Sequence, residues 1–207
     1  SMGGAIAILA LEQYPEMFEA AILSAPMCGM QTGKYPRIVA KLLAGSCCLT
    51  GKRKCFARLA GQRSFSETPQ FEGSSCLSRE RYDYMFQKRL LDEHYRTYGG
   101  SYGWVLAGLR ASRKLMRKEN LAKIKTPVLL FAAGHDHMVD NDAIERFAEL
   151  TNRTELFFMP DSRHEIFNAD ERTRTKYYDE IFRFIKEEEV KDYENENEQT
   201  RKILGTV

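Results

Sequence analysis

Three short apolar runs constrain the fold of this 207-residue chain more than any other feature of its sequence. The runs lie at 20–25 (AAILSA), 127–133 (PVLLFAA) and 154–159 (TELFFM). Continuous apolar runs of this length are typical of parallel strands that are covered on both faces. Helical patterns alternate with them, at 5–14, 142–150 and 171–189. This alternation predicts a mostly parallel α/β sheet flanked by helices.

Local signals place the ends of these helices. Pro15 stops the first helix, and Asp142 followed by Glu145 resembles a capping box at the start of the second. One apolar stripe is predicted for the last helix from five residues at helical spacing: Tyr177, Tyr178, Ile181, Phe182 and Ile185.

The segment between the first two apolar runs is too long for a plain crossover. It carries helical patterns at 36–44, 78–93 and 104–117, which predict a helical cap over the carboxyl edge of the sheet. We therefore expect four regions: a first core helix and strand at 1–26, a cap at 27–121, a second part of the core at 122–189 and a tail at 190–207. The stretch that begins at Glu187 and leads into this tail carries many acids and few apolar residues, which predicts a frayed or disordered tail.

Composition excludes several functional classes. No run approaches the length of a transmembrane segment. The five cysteines lie between Cys28 and Cys76 without paired C-x-x-C spacing, which favours reduced thiols in a reducing compartment over a zinc site or a disulfide framework. The sequence has no glycine-rich phosphate loop and no cluster of metal ligands, so we expect neither a metal nor an organic cofactor.

The first four residues, Ser-Met-Gly-Gly, precede a helix of small residues. A serine at a sharp strand-to-helix turn is typical of a hydrolase nucleophile, and the helix N-terminus behind it favours a developing oxyanion. This pattern makes Ser1 the candidate nucleophile and the N–H of Met2 a candidate oxyanion donor. We expect Gly3 to allow the tight turn and the close approach of the helix. An expression scar before an unrelated helix would give the same four residues.

Acid and base candidates follow the second and third apolar runs. Asp136 stands three residues beyond the second run, where a parallel sheet places its functional side chains. Asp140 is expected to cap or orient the loop, and His135 and His137 are expected at the surface. His164 lies in the loop after the third run, and the order Ser, Asp, His is the order of α/β-hydrolases.

Several segments resemble the serine hydrolase family that holds monoacylglycerol lipases and bacterial lysophospholipases. The similar segments are SMGGAIA, AAILSAPM, GHDHMVDN, GGSYGWVLAGLRASRKL and PDSRHEIFNADE, and residues 45–75 match least. The resemblance implies an α/β-hydrolase fold with a helical cap, the triad Ser1, Asp136 and His164, and a place for Trp104 in an acyl-chain tunnel. The family has a glycine and a strand before its serine, so we expect this chain to be a C-terminal fragment that is inactive alone.

The cap suggests the kind of substrate and partner. Between Met27 and Ser66 the sequence has no acid and eight basic residues, namely Lys34, Arg37, Lys41, Lys52, Arg53, Lys54, Arg58 and Arg63. Apolar residues lie between them (Ile38, Val39, Leu42, Leu43, Leu49 and Phe56), a pattern typical of a surface that contacts anionic lipid. An ordinary solvated lid is the alternative. The segment has no recognised nucleic-acid motif.

These features predict an ester hydrolase acting on lysophospholipids or monoacylglycerols, located in the cytoplasm and peripheral on the inner membrane. Two alternatives stay open from the sequence. One is a general carboxylesterase or acyltransferase with the same triad, and the other is an inactive binding protein derived from a hydrolase.

Overall fold

Three parallel strands form the centre of the molecule. The computed structural model describes residues 1–33, 35–57, 64–97 and 99–204, with the backbone alone at 192 and 194–204. The strands are β1 (Ala21–Ser24), β2 (Val128–Ala133) and β3 (Thr154–Met159), in the order β1-β2-β3. Leu23 pairs with Leu130, and Phe131 pairs with Phe157. The three apolar runs therefore form one parallel sheet, as predicted.

The described ranges contain seven α-helices in addition to this sheet. They are α1 (Met2–Gln13), α2 (Arg37–Leu49), α3 (Arg79–Leu91), α4 (Tyr102–Leu115), α5 (Lys118–Leu121), α6 (Asn141–Leu150) and α7 (Glu171–Leu204). Two 3₁₀ turns lie at Glu93–Tyr95 and Ile166–Asn168. The predicted fold class, a parallel sheet flanked by helices, is confirmed.

The middle strand β2 is buried along its whole length. Its residues Val128, Leu130 and Ala132 belong to a core cluster with side chains of α1 and α6. The alternate residues Leu129, Phe131 and Ala133 belong to a second cluster with side chains of α7. Helices therefore cover both faces of the sheet, which explains the continuous apolar sequence of this strand.

The region between β1 and β2 is helical. In it α2 packs on α4 through small residues, because Ala40 and Ala44 are fully buried while larger side chains of α2 are exposed. Val105 and Leu106 of α4 form the other side of this contact. Three of the basic residues noted in the sequence, Lys34, Arg58 and Arg63, lie outside the described residues.

The tail differs from its prediction. Composition predicted disorder at 190–207, but α7 continues to Leu204, and 205–207 lie outside the described residues. The segment has no proline or glycine before Gly205, and Lys191 donates a hydrogen bond to Glu188 three residues earlier over 2.6 Å. Helix-favouring residues and ion pairs at this spacing stabilise a helix even without an apolar face.

Two further details correct the sequence predictions. The residue before α6 is Asp140 rather than Asp142, which lies in the first turn. The buried side of α7 includes Phe184, whereas Phe182 is exposed. The reason is that Tyr177, Ile181 and Phe184 follow the three-to-four residue spacing of one helix face, and Phe182 lies beside it. None of the described helices combines the length and apolar character needed to cross a bilayer.

Candidate active site

Ser1 lies at the carboxyl end of β1, at the start of α1. Its amino group donates to the carbonyl of Ser24 over 3.4 Å, and its own carbonyl accepts from the N–H of Met27 over 3.0 Å. Ser1 is the N-cap residue of α1, but its side chain accepts no capping hydrogen bond from the first turn of α1. Its hydroxyl is therefore not committed to the helix.

The close contact behind Ser1 falls on Gly4 rather than on Gly3. A Cβ atom at Gly4 would lie 2.5 Å from Cβ and 2.8 Å from Cα of Pro26, whereas a Cβ at Gly3 would meet nothing within 4 Å. The prediction that Gly3 allows the helix to approach the sheet was therefore wrong by one position. Ala25, just before this contact, has a φ of 42°, which is rare for a residue with a side chain and fixes a sharp turn after β1.

Asp136 and His164 are joined by a hydrogen bond of 2.7 Å between Oδ2 and Nδ1. The other carboxylate oxygen of Asp136 accepts from the N–H groups of Met138 at 2.8 Å and Val139 at 3.1 Å. Burial alone would raise the pKa of Asp136, but the hydrogen bond and charge of His164 and the two backbone donors hold that pKa below its usual value. Asp136 is therefore an ionised acceptor for a proton on Nδ1, which leaves Nε2 of His164 to act as a base.

The loops that carry Asp136 and His164 are packed against each other. A Cβ at Gly134 would lie 2.1 Å from the carbonyl oxygen of Pro160, so this position requires glycine. The N–H of His135 donates to the carbonyl of Ser162 over 2.9 Å. The ends of β2 and β3 thereby place the acid and the base side by side.

Residues on either side of His164 hold its loop to the cap, a feature that the sequence analysis did not find. Arg163 donates through Nη1 to the carbonyls of Phe71 at 3.0 Å and Cys76 at 3.0 Å. Ser75 donates to Glu165 over 2.6 Å, and the N–H of Glu165 donates to the carbonyl of Ser75 over 2.9 Å. These contacts fix the position of the imidazole from both sides.

Ser1 stands within electrostatic range of this pair. The interaction is between the backbone nitrogen of Ser1 and the Asp136 carboxylate. Among the described residues, however, no hydrogen bond joins the Ser1 hydroxyl to His164. Such bonds are often long in unliganded hydrolases and shorten when substrate binds.

The remaining predicted site residues lie around Ser1. Met2 is the first residue of α1, and Trp104 in the first turn of α4 donates from Nε1 to the Met2 sulfur over 3.2 Å. His135 and His137 are exposed, as expected, and Asp140 pairs with Arg37 of the cap. This ion pair adds a contact between the acid loop and the cap.

Two cavities are lined by residues from the loops around the site. One, of about 490 Å³, lies between α3, residues 65–76 and the loop after His164. The other, of about 740 Å³, is lined by α2, α4 and α6 and by Cys28, which directly follows the Met27 whose N–H donates to the Ser1 carbonyl. Burial raises the pKa of Cys28 to about 12, so this thiol stays protonated at neutral pH. In the described ranges no group of three or more His, Cys, Asp or Glu side chains could hold a metal ion.

Comparison with known proteins defines the class and then the family. The fold is similar to that of a monoglyceride lipase from Saccharomyces cerevisiae, with a TM-score of 0.64, 18% identity, and coverage of 91% of this chain and 63% of the other. A monoacylglycerol lipase from Paleococcus ferrophilus gives a TM-score of 0.65 at 18% identity, with 91% and 66% coverage. The chain thus has the α/β-hydrolase fold.

The family follows from sequence. Residues 1–171 match the family described as serine aminopeptidase, S33, and the chain belongs to that family. The chain is also 29% identical to lysophospholipase L2 of Escherichia coli K12 over 150 residues, which cover 72% of this chain and 43% of that relative. The chain therefore spans less than half the length of this relative. The expected resemblance to the monoacylglycerol lipase and lysophospholipase family is confirmed.

Proposed function

We propose that the protein is a serine ester hydrolase that cleaves the acyl ester of lysophospholipids or monoacylglycerols through Ser1, His164 and Asp136. The observation that carries this proposal is the short hydrogen bond between His164 and the buried Asp136, beside a serine at the start of a helix. A helix N-terminus next to a serine and a carboxylate-bound imidazole is the arrangement that acyl transfer requires.

In the first step His164 accepts the hydroxyl proton of Ser1 while Oγ attacks the ester carbonyl. Asp136 holds the Nδ1–H and stabilises the imidazolium that forms. The N–H of Met2, at the positive end of α1, binds the oxyanion of the tetrahedral intermediate. The C–O bond of the ester then breaks, and the imidazolium gives its proton to the leaving alcohol.

In the second step water releases the acyl group from Ser1. His164 removes a proton from the water, the hydroxide attacks the acyl-enzyme carbonyl, and the fatty acid leaves as Ser1 regains its proton. The chemistry needs no metal or organic cofactor. The name of the E. coli relative, lysophospholipase L2, and those of the lipases of similar fold support a lipid ester as substrate.

The larger cavity is the proposed site of the acyl chain. Met30, Leu109 and Met116 give it an apolar lining. Cys28, which also lines it, directly follows the Met27 that is hydrogen-bonded to the Ser1 carbonyl. A cavity of about 740 Å³ is within the range of sites for drug-sized ligands. Trp104, whose Nε1–H is hydrogen-bonded to the Met2 sulfur, is proposed to contact the substrate near the ester.

The exposed face of α2 is the proposed site of contact with anionic membrane. Ile38, Leu42 and Leu49 are 74%, 68% and 91% exposed, and Arg37 and Lys41 lie beside them. Basic residues flanking an exposed apolar face are the features of a helix that lies on an anionic bilayer.

A fluorophosphonate probe tests the nucleophile. We expect the full-length protein to be labelled, since the probe reacts with an activated serine hydroxyl. The Ser1→Ala variant should lose both labelling and ester hydrolysis, whereas Ser64→Ala, which removes an exposed hydroxyl, should keep both. Labelling that survives in Ser1→Ala would refute the assignment.

The same variants separate the alternatives. Preference for short, water-soluble esters would indicate a general carboxylesterase, and transfer to alcohol acceptors would indicate an acyltransferase. Because the family description names an aminopeptidase, aminoacyl amides belong in the assay. A full-length protein that neither reacts with the probe nor cleaves any ester or amide would be a binding protein.

A further inference from the structure

The smaller cavity is lined by an arginine, Arg89 of α3, whose buried Nε has no acceptor. Within the described part of the chain, its guanidinium also has no ion pair. Buried polar donors are almost always hydrogen-bonded, so the free Nε of this half-exposed Arg89 on a cavity wall marks a candidate site for an anion.

Another charged group that lines the cavity is Glu165. Its two oxygens accept from Ser75 at 2.6 Å and from Asn168 at 2.8 Å, so its position is fixed and its charge remains available. The exposed ring of Phe167 lies in the same wall, two residues further along. A carboxylate beside an aromatic ring favours an organic ammonium group.

The cavity therefore has groups of both charges in its lining, a cationic one on α3 and an anionic one in the loop after His164. Hydroxyl-bearing side chains complete the lining: Ser66, Thr68, Ser74, Ser75 and Thr97. His137 also lines the cavity. It directly follows Asp136 in the sequence, just as Glu165 directly follows His164. The cavity is therefore lined in part by the two loops that carry Asp136 and His164.

We propose that this cavity binds the zwitterionic head group of a lysophospholipid, with Arg89 on the phosphodiester and Glu165 on the ammonium. This inference rests on the proposed function and selects lysophospholipids over monoacylglycerols, because a glycerol head carries no charge to match either residue. The planar guanidinium offers two parallel N–H donors to phosphate oxygens, which an ammonium cannot match in geometry.

Three substrates with one acyl chain test the proposal in the full-length protein: oleoyl lysophosphatidylethanolamine, oleoyl lysophosphatidylglycerol and monooleoylglycerol. For Arg89→Met we expect kcat/KM to fall at least about tenfold for both lysophospholipids, as for one charge-assisted hydrogen bond, and to stay unchanged for monooleoylglycerol. The control is Lys88→Met, an exposed neighbour that lies over the Tyr84 ring outside the cavity, and it should change none of the three. An equal loss on all three substrates, or no loss, would overturn the proposal.

Glu165→Gln tests the ammonium subsite. Because Glu165 also holds the loop of His164, the informative quantity is the ratio of kcat/KM for the ethanolamine lipid to that for the glycerol lipid. We expect this ratio to fall, since lysophosphatidylglycerol has no ammonium group. An unchanged ratio would show that Glu165 does not bind the ammonium group and would overturn the proposal of a zwitterionic head group.

Binding of glycerophosphoethanolamine, measured by calorimetry, separates this inference from the proposed function. Binding by the wild type that is lost in Arg89→Met supports the head-group site even if the protein cleaves no lipid ester. Cleavage of lipid esters without such binding would sustain the proposed function and overturn the head-group site.

Discussion

Glu12 is an acid held in an apolar setting. It lies on α1 at 8% exposure, and its Oε1 has no hydrogen-bond partner. Burial raises its pKa to about 7, and the charges of Lys114 and Lys123 oppose this rise. Because the pKa in the folded protein exceeds that in the unfolded chain, folding takes up a proton between the two values. The stability that Glu12 contributes is therefore lost as the pH rises toward 7.

The fall in stability with rising pH predicts the effect of Glu12→Gln. The variant should unfold at a higher temperature than the wild type at about pH 8, where the wild type must bury a charge, and the advantage should shrink toward about pH 5. Thermal unfolding followed by circular dichroism at both pH values measures the difference. Glu19→Gln, at an exposed position, should show no such pH dependence. A Glu12→Gln advantage that is equal at both pH values would contradict the argument.

The glycines behind Ser1 give a second prediction at this scale. Gly4→Ala should destabilise the protein by about 1–3 kcal/mol, as overpacked sites do, because its Cβ would overlap Pro26. Gly3→Ala is the matched control, since its Cβ would meet open space and alanine favours a helix. Denaturant titration of both variants compares them. Equal stability of the two would show that the contact between Gly4 and Pro26 relaxes without cost.

Among the elements, α2 is unusual because it buries alanine and exposes leucine. If this face contacts membrane, Leu42→Ser together with Leu49→Ser should weaken binding to phosphatidylglycerol vesicles at least about tenfold, since each leucine loses apolar burial in the bilayer. Added salt should weaken binding of the wild type, because the basic residues of α2 are screened. Vesicle co-sedimentation of the full-length protein measures both effects.

The control comes from another helix. Leu91, at the end of α3, is 83% exposed and lies away from the basic segment. Leu91→Ser should leave vesicle binding unchanged. A loss as large as that of the α2 variant would mean that general surface hydrophobicity, rather than this face, causes the binding.

Across the whole molecule, what could be predicted from sequence was local. The three apolar runs predicted the strands, and the positions just after them predicted where Asp136 and His164 would lie. The contacts of Arg163 with Phe71, Ser74 and Cys76 join residues 87 to 92 positions apart, so no periodicity reveals them. The lack of a partner for Nε of Arg89 likewise depends on the folded cavity, so the sequence does not show it.

The wrong predictions for Gly3 and for the tail have other causes. Gly3 and Gly4 are neighbours with the same chemistry, and the turn after β1 decides which of them meets Pro26. The tail was judged by its lack of apolar residues, but helix propensity and charge pairs at 188–191 act without an apolar face.

The contacts around His164 have a consequence for how such enzymes can diverge. The stretch 71–76 both lines the cavity proposed for the head group and holds the loop of His164, the proposed base. An insertion or deletion there would change selectivity and turnover together, so adaptation to a new substrate should proceed first through side chains on the opposite wall, such as Arg89.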